Sequence, residues 1–324
     1  MTELFDSFQR HISYLRISVT DRCNLRCIYC MPLKGIPLVA HSEILSYEEI
    51  STVAQMGAEL GVSKIRLTGG EPLVRMELPR LVQMLSQIKG IDEVSLTTNG
   101  TLLKEEYALE LKQAGLSRVN ISLDTLRANR FRHITRLGEL EDALDGIEAA
   151  EDVGLHPVKI NMVVMRGIND DEVLDFANMT YKEGWHVRFI ELMPLADVTG
   201  IVPSSEIRQH IASLGTLKPC SPITGNGPAR YYRLPGARGT IGLISPISEH
   251  FCSSCNRMRL TSDGKLRPCL LSDSAIDLRG ALRQNFSLQE LKRLILKAVA
   301  SKPERHHLAE GIAPVKQNMS QIGG

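Results

Sequence analysis

Cys23-Asn24-Leu25-Arg26-Cys27-Ile28-Tyr29-Cys30 places three thiols in eight residues, spaced C-x3-C-x2-C. Thiols this close can converge on one metal centre without help from elsewhere in the chain. They are one ligand short of a closed structural site. Structural zinc takes four ligands, commonly from paired C-x2-4-C runs, and a [4Fe–4S] cluster takes one thiolate at each of four irons. Three thiolates on such a cluster leave one iron open to a substrate or cofactor. Zinc with a fourth ligand from afar, or three ordinary cysteines, are the plainer readings of the same residues.

Outward from this loop the chain alternates between β-type and helix-type runs, the pattern of parallel βα units. Residues 14–20, 64–68, 94–98, 118–123, 158–164 and 187–192 read as strands, and 47–60, 78–88, 105–114, 140–153 and 171–182 as helices. Gly61, Gly115, Gly154 and Gly184 follow four of these helices where a left-handed residue is wanted. Six units are too few for an eight-stranded barrel. The expected fold is α/β: a partial (β/α)6 TIM-type barrel over residues 1–200, closed by a C-terminal region of short strands over 201–324. Its C-terminal rim should carry the chemistry. The first strand runs straight into the cysteine loop. The second ends in Thr68-Gly69-Gly70-Glu71-Pro72, where two glycines let backbone approach a ligand closely. The third, fourth and sixth end in Thr97-Thr98-Asn99-Gly100, Ser122-Leu123-Asp124 and Glu191-Leu192-Met193-Pro194.

Composition narrows the function class. A formal net charge of +1 over 324 residues leaves no global basic footprint, so nucleic acid is not expected as a partner and any anion site must be local. No apolar run reaches membrane-spanning length, and the N-terminus, with Glu3 and Asp6, lacks the apolar core of a signal peptide. Seven cysteines, grouped three, one and three, argue against a secreted disulfide framework and suit a reducing cytoplasm. Cys220 reads as a bystander thiol; Trp185, His133 and His306-His307 read as packing or surface residues.

Beyond residue 202 the pattern loosens into Pro- and Gly-rich loops and short strands at 231–234, 240–244 and 258–261, with a last helix at 288–300. Cys252-Ser253-Ser254-Cys255 and Cys269 form the second triplet, and the Asp263-Gly264 turn folds Cys269 back toward the pair. Spacing alone leaves zinc, with His250 as fourth ligand, level with iron–sulfur. Arg257 and Arg259 alternate on one strand face just beyond Cys255. Two guanidiniums beside a metal centre suit an anionic ligand, phosphate above all.

These motifs recur in one order in a known family. The run Asp21 to Pro32, Thr-Gly-Gly-Glu-Pro at 68–72, Leu-Thr-Thr-Asn-Gly at 96–100, Asn-Ile-Ser-Leu-Asp at 120–124, Phe-Cys-Ser-Ser-Cys-Asn-Arg-Met-Arg-Leu at 251–260 and the terminal Ile322-Gly323-Gly324 carry the likeness. The chain resembles the radical S-adenosylmethionine (SAM) enzymes and, among them, the GTP 3′,8-cyclases of molybdenum-cofactor biosynthesis. The resemblance implies two [4Fe–4S] clusters, one on Cys23, Cys27 and Cys30 and one on Cys252, Cys255 and Cys269. It implies SAM contacts from Tyr29, Gly70, Ser122 and Met193, and GTP contacts from Arg16, Arg66, Thr97, Lys159, Arg257 and Arg259. Arg257, Arg259 and the Gly323-Gly324 tail would serve catalysis. The reaction implied is hydrogen abstraction from ribose C3′ of GTP by a 5′-deoxyadenosyl radical, then closure onto guanine C8, giving (8S)-3′,8-cyclo-7,8-dihydro-GTP. An external electron donor, a downstream cyclic pyranopterin monophosphate synthase and a homodimer are family expectations. Competing readings are a peptide-maturase type of radical SAM enzyme and a non-catalytic metal-binding module.

Overall fold

The structure, a computed structural model, describes residues 3–194, 200–284, 286–306, 308 and 319–322. Its framework is a sheet of twelve strands, six of them taken in chain order: β1 (Tyr14–Ser18), β2 (Lys64–Thr68), β3 (Glu93–Thr98), β4 (Arg118–Ser122), β5 (Lys159–Val164) and β6 (His186–Glu191). All six are parallel. The remaining strands are β7 (Lys218–Cys220), β8 (Arg230–Arg233), β9 (Thr240–Ile244), β10 (Arg257–Leu260), β11 (Lys265–Arg267) and β12 (Ile276–Asp277). Two of them extend the parallel run, β10 beside β1 and β9 beside β6. The order β12-β11-β10-β1-β2-β3-β4-β5-β6-β9-β8-β7 is linear, so this is an open barrel flanked by antiparallel edge strands. The six-unit expectation is extended here: eight parallel strands line the barrel, two supplied from beyond residue 201.

Helices cover the outer face: α1 (Tyr47–Leu60), α2 (Leu78–Ser86), α3 (Glu105–Gln113), α4 (Ala128–Thr135), α5 (Leu140–Asp152), α6 (Val173–Lys182), α7 (Ser204–Ile211), α8 (Arg279–Arg283) and α9 (Leu288–Ala300), while the short α10 (Met319–Ile322) sends Met319 to the cavity. α1 and α9 start where Ser46 and Ser287 cap them with Glu49 and Glu290 in reciprocal hydrogen bonds. α1 ends at Gly61, whose φ of 115° a side chain would resist. α4 went unseen in the sequence because it is rich in arginine and carries few apolar residues.

Alternation along the strands decides what the barrel holds. Leu15 and Ile17 of β1, Ile65 and Leu67 of β2, and Val119 and Ile121 of β4 are buried in the core. The intervening positions are polar: Arg16, Arg66, Thr97, Asn120, Lys159 and Arg188 line the interior cavity. They stand in register, with Arg16 beside Arg66 and Arg259, Asn120 beside Thr97 and Lys159, and Asn161 beside Arg188. A barrel of this kind ordinarily fills its interior with branched apolar side chains. A polar, cationic interior is built for a ligand.

Candidate active site

The first triplet sits at the C-terminal end of the parallel strands, just past β1. Its loop is clamped by the glycine turn after β2: Gly70 N–H donates to the Thr20 carbonyl at 2.7 Å and Glu71 N–H to the Arg22 carbonyl at 2.8 Å. A Cβ at Gly70 would lie 2.3 Å from the Arg22 carbonyl oxygen, so only glycine allows this approach. A second latch is made of side chains. Asn24 Nδ2 donates to Thr101 Oγ1 at 2.9 Å, and Asn99 Nδ2 donates to Asn24 Oδ1 at 2.9 Å. Behind them the buried Glu71 carboxylate accepts from Thr98 Oγ1 at 2.7 Å, Asn99 N–H at 2.7 Å and Leu73 N–H at 3.0 Å. Burial outweighs these bonds and lifts Glu71 to about 7.

Tyr29 and the end of β4 make the other wall. Tyr29 Oη donates to Asp124 Oδ2 at 2.7 Å, and Asp124 also accepts from Val163 N–H at 2.8 Å. Burial lifts Asp124 to about 6. Gly70, Ser122 and Met193 line the same space. Burial, with Glu71 adding to it, raises Cys23 to about 11, and burial raises Cys27 well above the ordinary thiol value. This end of the cavity is lined by buried carboxyls.

The second triplet sits at the opposite end of the same strands. Cys252 and Cys255 precede β10, which runs parallel to β1, and Cys269 follows β11, which returns antiparallel to β10. All three thiols line the cavity that Cys23, Cys27 and Cys30 line from the far side. Burial pushes Cys255 up, but Arg257 and Lys302 outweigh it and bring the thiol down to about 6.

Between the two ends stand the cations. Arg16, Arg66, Lys159, Arg257 and Arg259, all expected from the sequence, face this one cavity, and so does Thr97. Arg66 Nε donates to Tyr14 Oη at 2.5 Å and its Nη1 to Thr97 Oγ1 at 3.2 Å. Lys159 is 2 % exposed, with Nζ donating to the Thr224 carbonyl at 2.8 Å. Burial, helped by Arg188, Arg118 and Arg66, lowers Lys159 to about 6. Burial opposes ionisation of Tyr14, yet Arg66, Arg16 and Arg118 bring it down to about 8. Burial followed by Arg257 lowers Arg259 to about 10. Cations crowded like this are mutually unfavourable until an anion joins them.

Sequence reasoning missed three cations of the cavity, Arg118, Arg188 and Lys302. Arg118 and Arg188 obey the rule that picked out Arg16, an inward charge in an apolar strand, and could have been found. Lys302 lies past α9, and no local pattern brings it here. His306 also faces the cavity, with Nε2 at 2.8 Å from the Pro246 carbonyl and its ring edge-on to His250. Its reading as a packing residue holds as far as burial and the His250 contact go, and the cavity wall is the added finding. Arg136 was passed over too; it donates at 3.0 Å to both the Arg26 and Met31 carbonyls and so braces the first cysteine loop. His307, Gly323 and Gly324 lie outside the described residues.

The donor sets fit iron–sulfur clusters. Each triplet is of unbridged cysteines facing one cavity. Three thiolates on a cube leave one iron open to a ligand.

Two family models cover the chain, the Radical SAM superfamily over residues 17–180 and Molybdenum Cofactor Synthesis C over residues 185–308. A GTP 3′,8-cyclase of Moorella thermoacetica is 53% identical over 323 residues, covering 98% of this chain and 99% of the relative. One from Pelotomaculum thermopropionicum is 54% identical over 325 residues, with the same coverage. The chain belongs to the GTP 3′,8-cyclase family. Among solved structures, Streptococcus suis SuiB bound to precursor peptide SuiA is similar at a TM-score of 0.64 and 14% identity, over 90% of this chain and 65% of that one. The anSMEcpe structure with bound AdoMet gives a TM-score of 0.60 at 13% identity, over 93% and 80%. These two show a shared fold. As a radical SAM family, the GTP 3′,8-cyclases imply one [4Fe–4S] cluster and SAM, and the C-x3-C-x2-C loop is where this chain can hold them. Among the described residues no helix is long and apolar enough to cross a membrane.

Proposed function

We propose that this chain is itself a radical SAM GTP 3′,8-cyclase acting in molybdenum-cofactor biosynthesis, with SAM at the carboxyl end of the cavity and GTP at the cationic end. The observation that carries the reading is one cavity with a thiol triplet at each end and the cations between them. When bound to Cys23, Cys27 and Cys30, a [4Fe–4S] cluster supplies the electron that cleaves the SAM sulfonium to the 5′-deoxyadenosyl radical. Cys252, Cys255 and Cys269 would hold a second [4Fe–4S] cluster, which with three thiolates would leave one iron available to bind the nucleotide base.

The chain's own residues orient the two ligands. Gly70, whose missing Cβ keeps backbone close, and Ser122 meet the methionyl and ribose parts of SAM. Tyr29, fixed by its bond to Asp124, and Met193 flank the adenine. Arg16, Arg66, Lys159, Arg257 and Arg259 neutralise the triphosphate, with Thr97 as a polar contact. Each such charge-assisted bond contributes on the order of 1.5–3 kcal/mol. The Gly323-Gly324 end supports radical initiation, a role taken from the family resemblance; among the described residues, Met319 of α10 lines the cavity and Ile322 is buried. Residues 1–200 are the SAM-cleaving part and 201–324 the nucleotide-holding part. On the same reading an external electron carrier reduces the protein. The product passes to a cyclic pyranopterin monophosphate synthase, and the chain works in the cytoplasm as a homodimer.

The deciding experiment incubates anaerobically reconstituted protein with SAM, dithionite and GTP, and analyses the nucleotides by mass spectrometry. A product isomeric with GTP, formed with 5′-deoxyadenosine in equal amount, is expected. SAM cleavage that leaves GTP unchanged would sink the cyclase reading and leave a radical SAM enzyme of another substrate.

A further inference from the structure

Lys302 follows α9 and turns its ammonium inward, where the residue is 3 % exposed and lines the cavity. Its Nζ donates to the Arg257 carbonyl at 2.9 Å and to the Pro268 carbonyl at 2.6 Å. Arg257 opens β10 two residues after Cys255, and Pro268 immediately precedes Cys269. One ammonium therefore ties together the two arms that carry these thiols.

The third thiol is tied to the same stretch by another cation. Arg10 donates to the Cys252 carbonyl at 2.8 Å, to the Pro303 carbonyl at 2.7 Å and to the Glu304 carbonyl at 2.8 Å. Its Nε is paired with the Asp6 carboxylate at 2.6 Å, and both side chains are buried. Residues 302–304 thus connect all three cysteine arms. Arg10 has a carboxylate to balance its charge; among the described residues Lys302 bonds only carbonyls. An ammonium buried without a carboxylate is costly, and an apolar residue would fill the space with no such penalty. Thiolates beside it remove the penalty, because their charge is the one it faces.

We propose that Lys302 is a positioning residue for the second cluster, holding the Cys255 and Cys269 arms at the separation the cluster needs and balancing its thiolate charge. The proposal rests on the reading of Cys252, Cys255 and Cys269 as cluster ligands. The test compares wild type, Lys302→Met and Lys302→Arg, purified anaerobically and exposed briefly to a chelator. Iron and sulfide are counted per chain, and electron paramagnetic resonance is recorded with and without GTP. Wild type with about eight irons, two cubes' worth, carries the underlying reading; about four would sink that reading itself. With eight in wild type, Lys302→Met should retain about four after chelation, keep the first cluster's signal and still cleave SAM without GTP. Lys302→Arg, which preserves charge and donors, should restore most of the loss. A Met variant that keeps its iron as wild type does overturns the proposal, as does equal loss from both sites, which is general unfolding. Should the Met variant be insoluble, Lys302→Gln carries the same comparison.

Discussion

The two cysteine triplets occupy opposite ends of one set of parallel strands, and their surroundings are electrically opposite. Around Cys23, Cys27 and Cys30 the charged neighbours facing the cavity are carboxyls, Glu71 and Asp124, and the Cys23 and Cys27 thiols are pushed up by burial. Around Cys252, Cys255 and Cys269 the neighbours are Arg257, Arg259 and Lys302, and Cys255 is pulled down to about 6 against its burial. Each end offers three thiols to a metal centre. On the proposed function, the second layer of charge decides which ligand goes where. A sulfonium with an ammonium suits the carboxyl end, and a triphosphate suits the cationic end. On the proposed function, the cavity sorts its two ligands by sign before any specific contact is made.

The largest effect that tests this division comes from removing one thiol at each end. Cys27→Ala should bring SAM cleavage to background whether or not GTP is present. Cys255→Ala should retain SAM cleavage while losing the cyclised nucleotide. Both are read by chromatography of 5′-deoxyadenosine and product from the same anaerobic incubation. Loss of SAM cleavage in both variants would mean that the ends do not work separately.

Much of this arrangement was legible in the sequence, and the reason lies in how local each signal is. The cysteine loop and the Gly-Gly-Glu-Pro turn are continuous in the chain, and their contact follows from adjacent βα units. Arg16, Arg66 and Lys159 could be read because a charge at an inward strand position is conspicuous between Ile and Leu. The extra parallel strands were harder. β9 and β10 look like any short strand, and only their pairing with β6 and β1 makes them part of the barrel. Lys302 and Arg136 carry no local signature; each matters through carbonyls more than thirty residues away in sequence.

A middle-sized effect probes the cations themselves. Among the described residues, Arg188 Nε is buried with no hydrogen-bond partner, as are Thr224 Oγ1 and Asn161 Oδ1 along the same cavity. Buried polar atoms left unsatisfied point to a ligand that satisfies them. Arg188→Met and Arg257→Ala should each weaken GTP binding about tenfold to a hundredfold, with SAM binding unchanged, by calorimetry on the reconstituted protein. Arg188→Met should not lower the melting temperature of the ligand-free protein, since it removes a cation from a crowd of cations. A variant that melts early and binds GTP normally would make Arg188 a structural residue.

The smallest effect is a difference of sign between the two ends as pH changes. Lys159 titrates near 6 in the empty cavity, with Arg188, Arg118 and Arg66 opposing its charge and Glu93 favouring it. A phosphate beside it favours the ammonium, so GTP binding at pH 7.5 must draw in a proton, and affinity falls as pH rises above 6. Tyr14, near 8 when empty, adds to the same trend at higher pH, because the phosphate favours its neutral form. One proton sets a limit of about tenfold per pH unit. At the other end Glu71 and Asp124, lifted by burial to about 7 and about 6, must lose protons to meet a cation. SAM affinity should therefore rise over the interval in which GTP affinity declines. Calorimetry in buffers of different ionisation enthalpy counts the protons directly: uptake for GTP, release for SAM. Lys159→Arg should abolish most of the uptake near pH 7 and leave the SAM profile as it was, whereas uptake of the wild-type size in that variant would move the titrating group elsewhere.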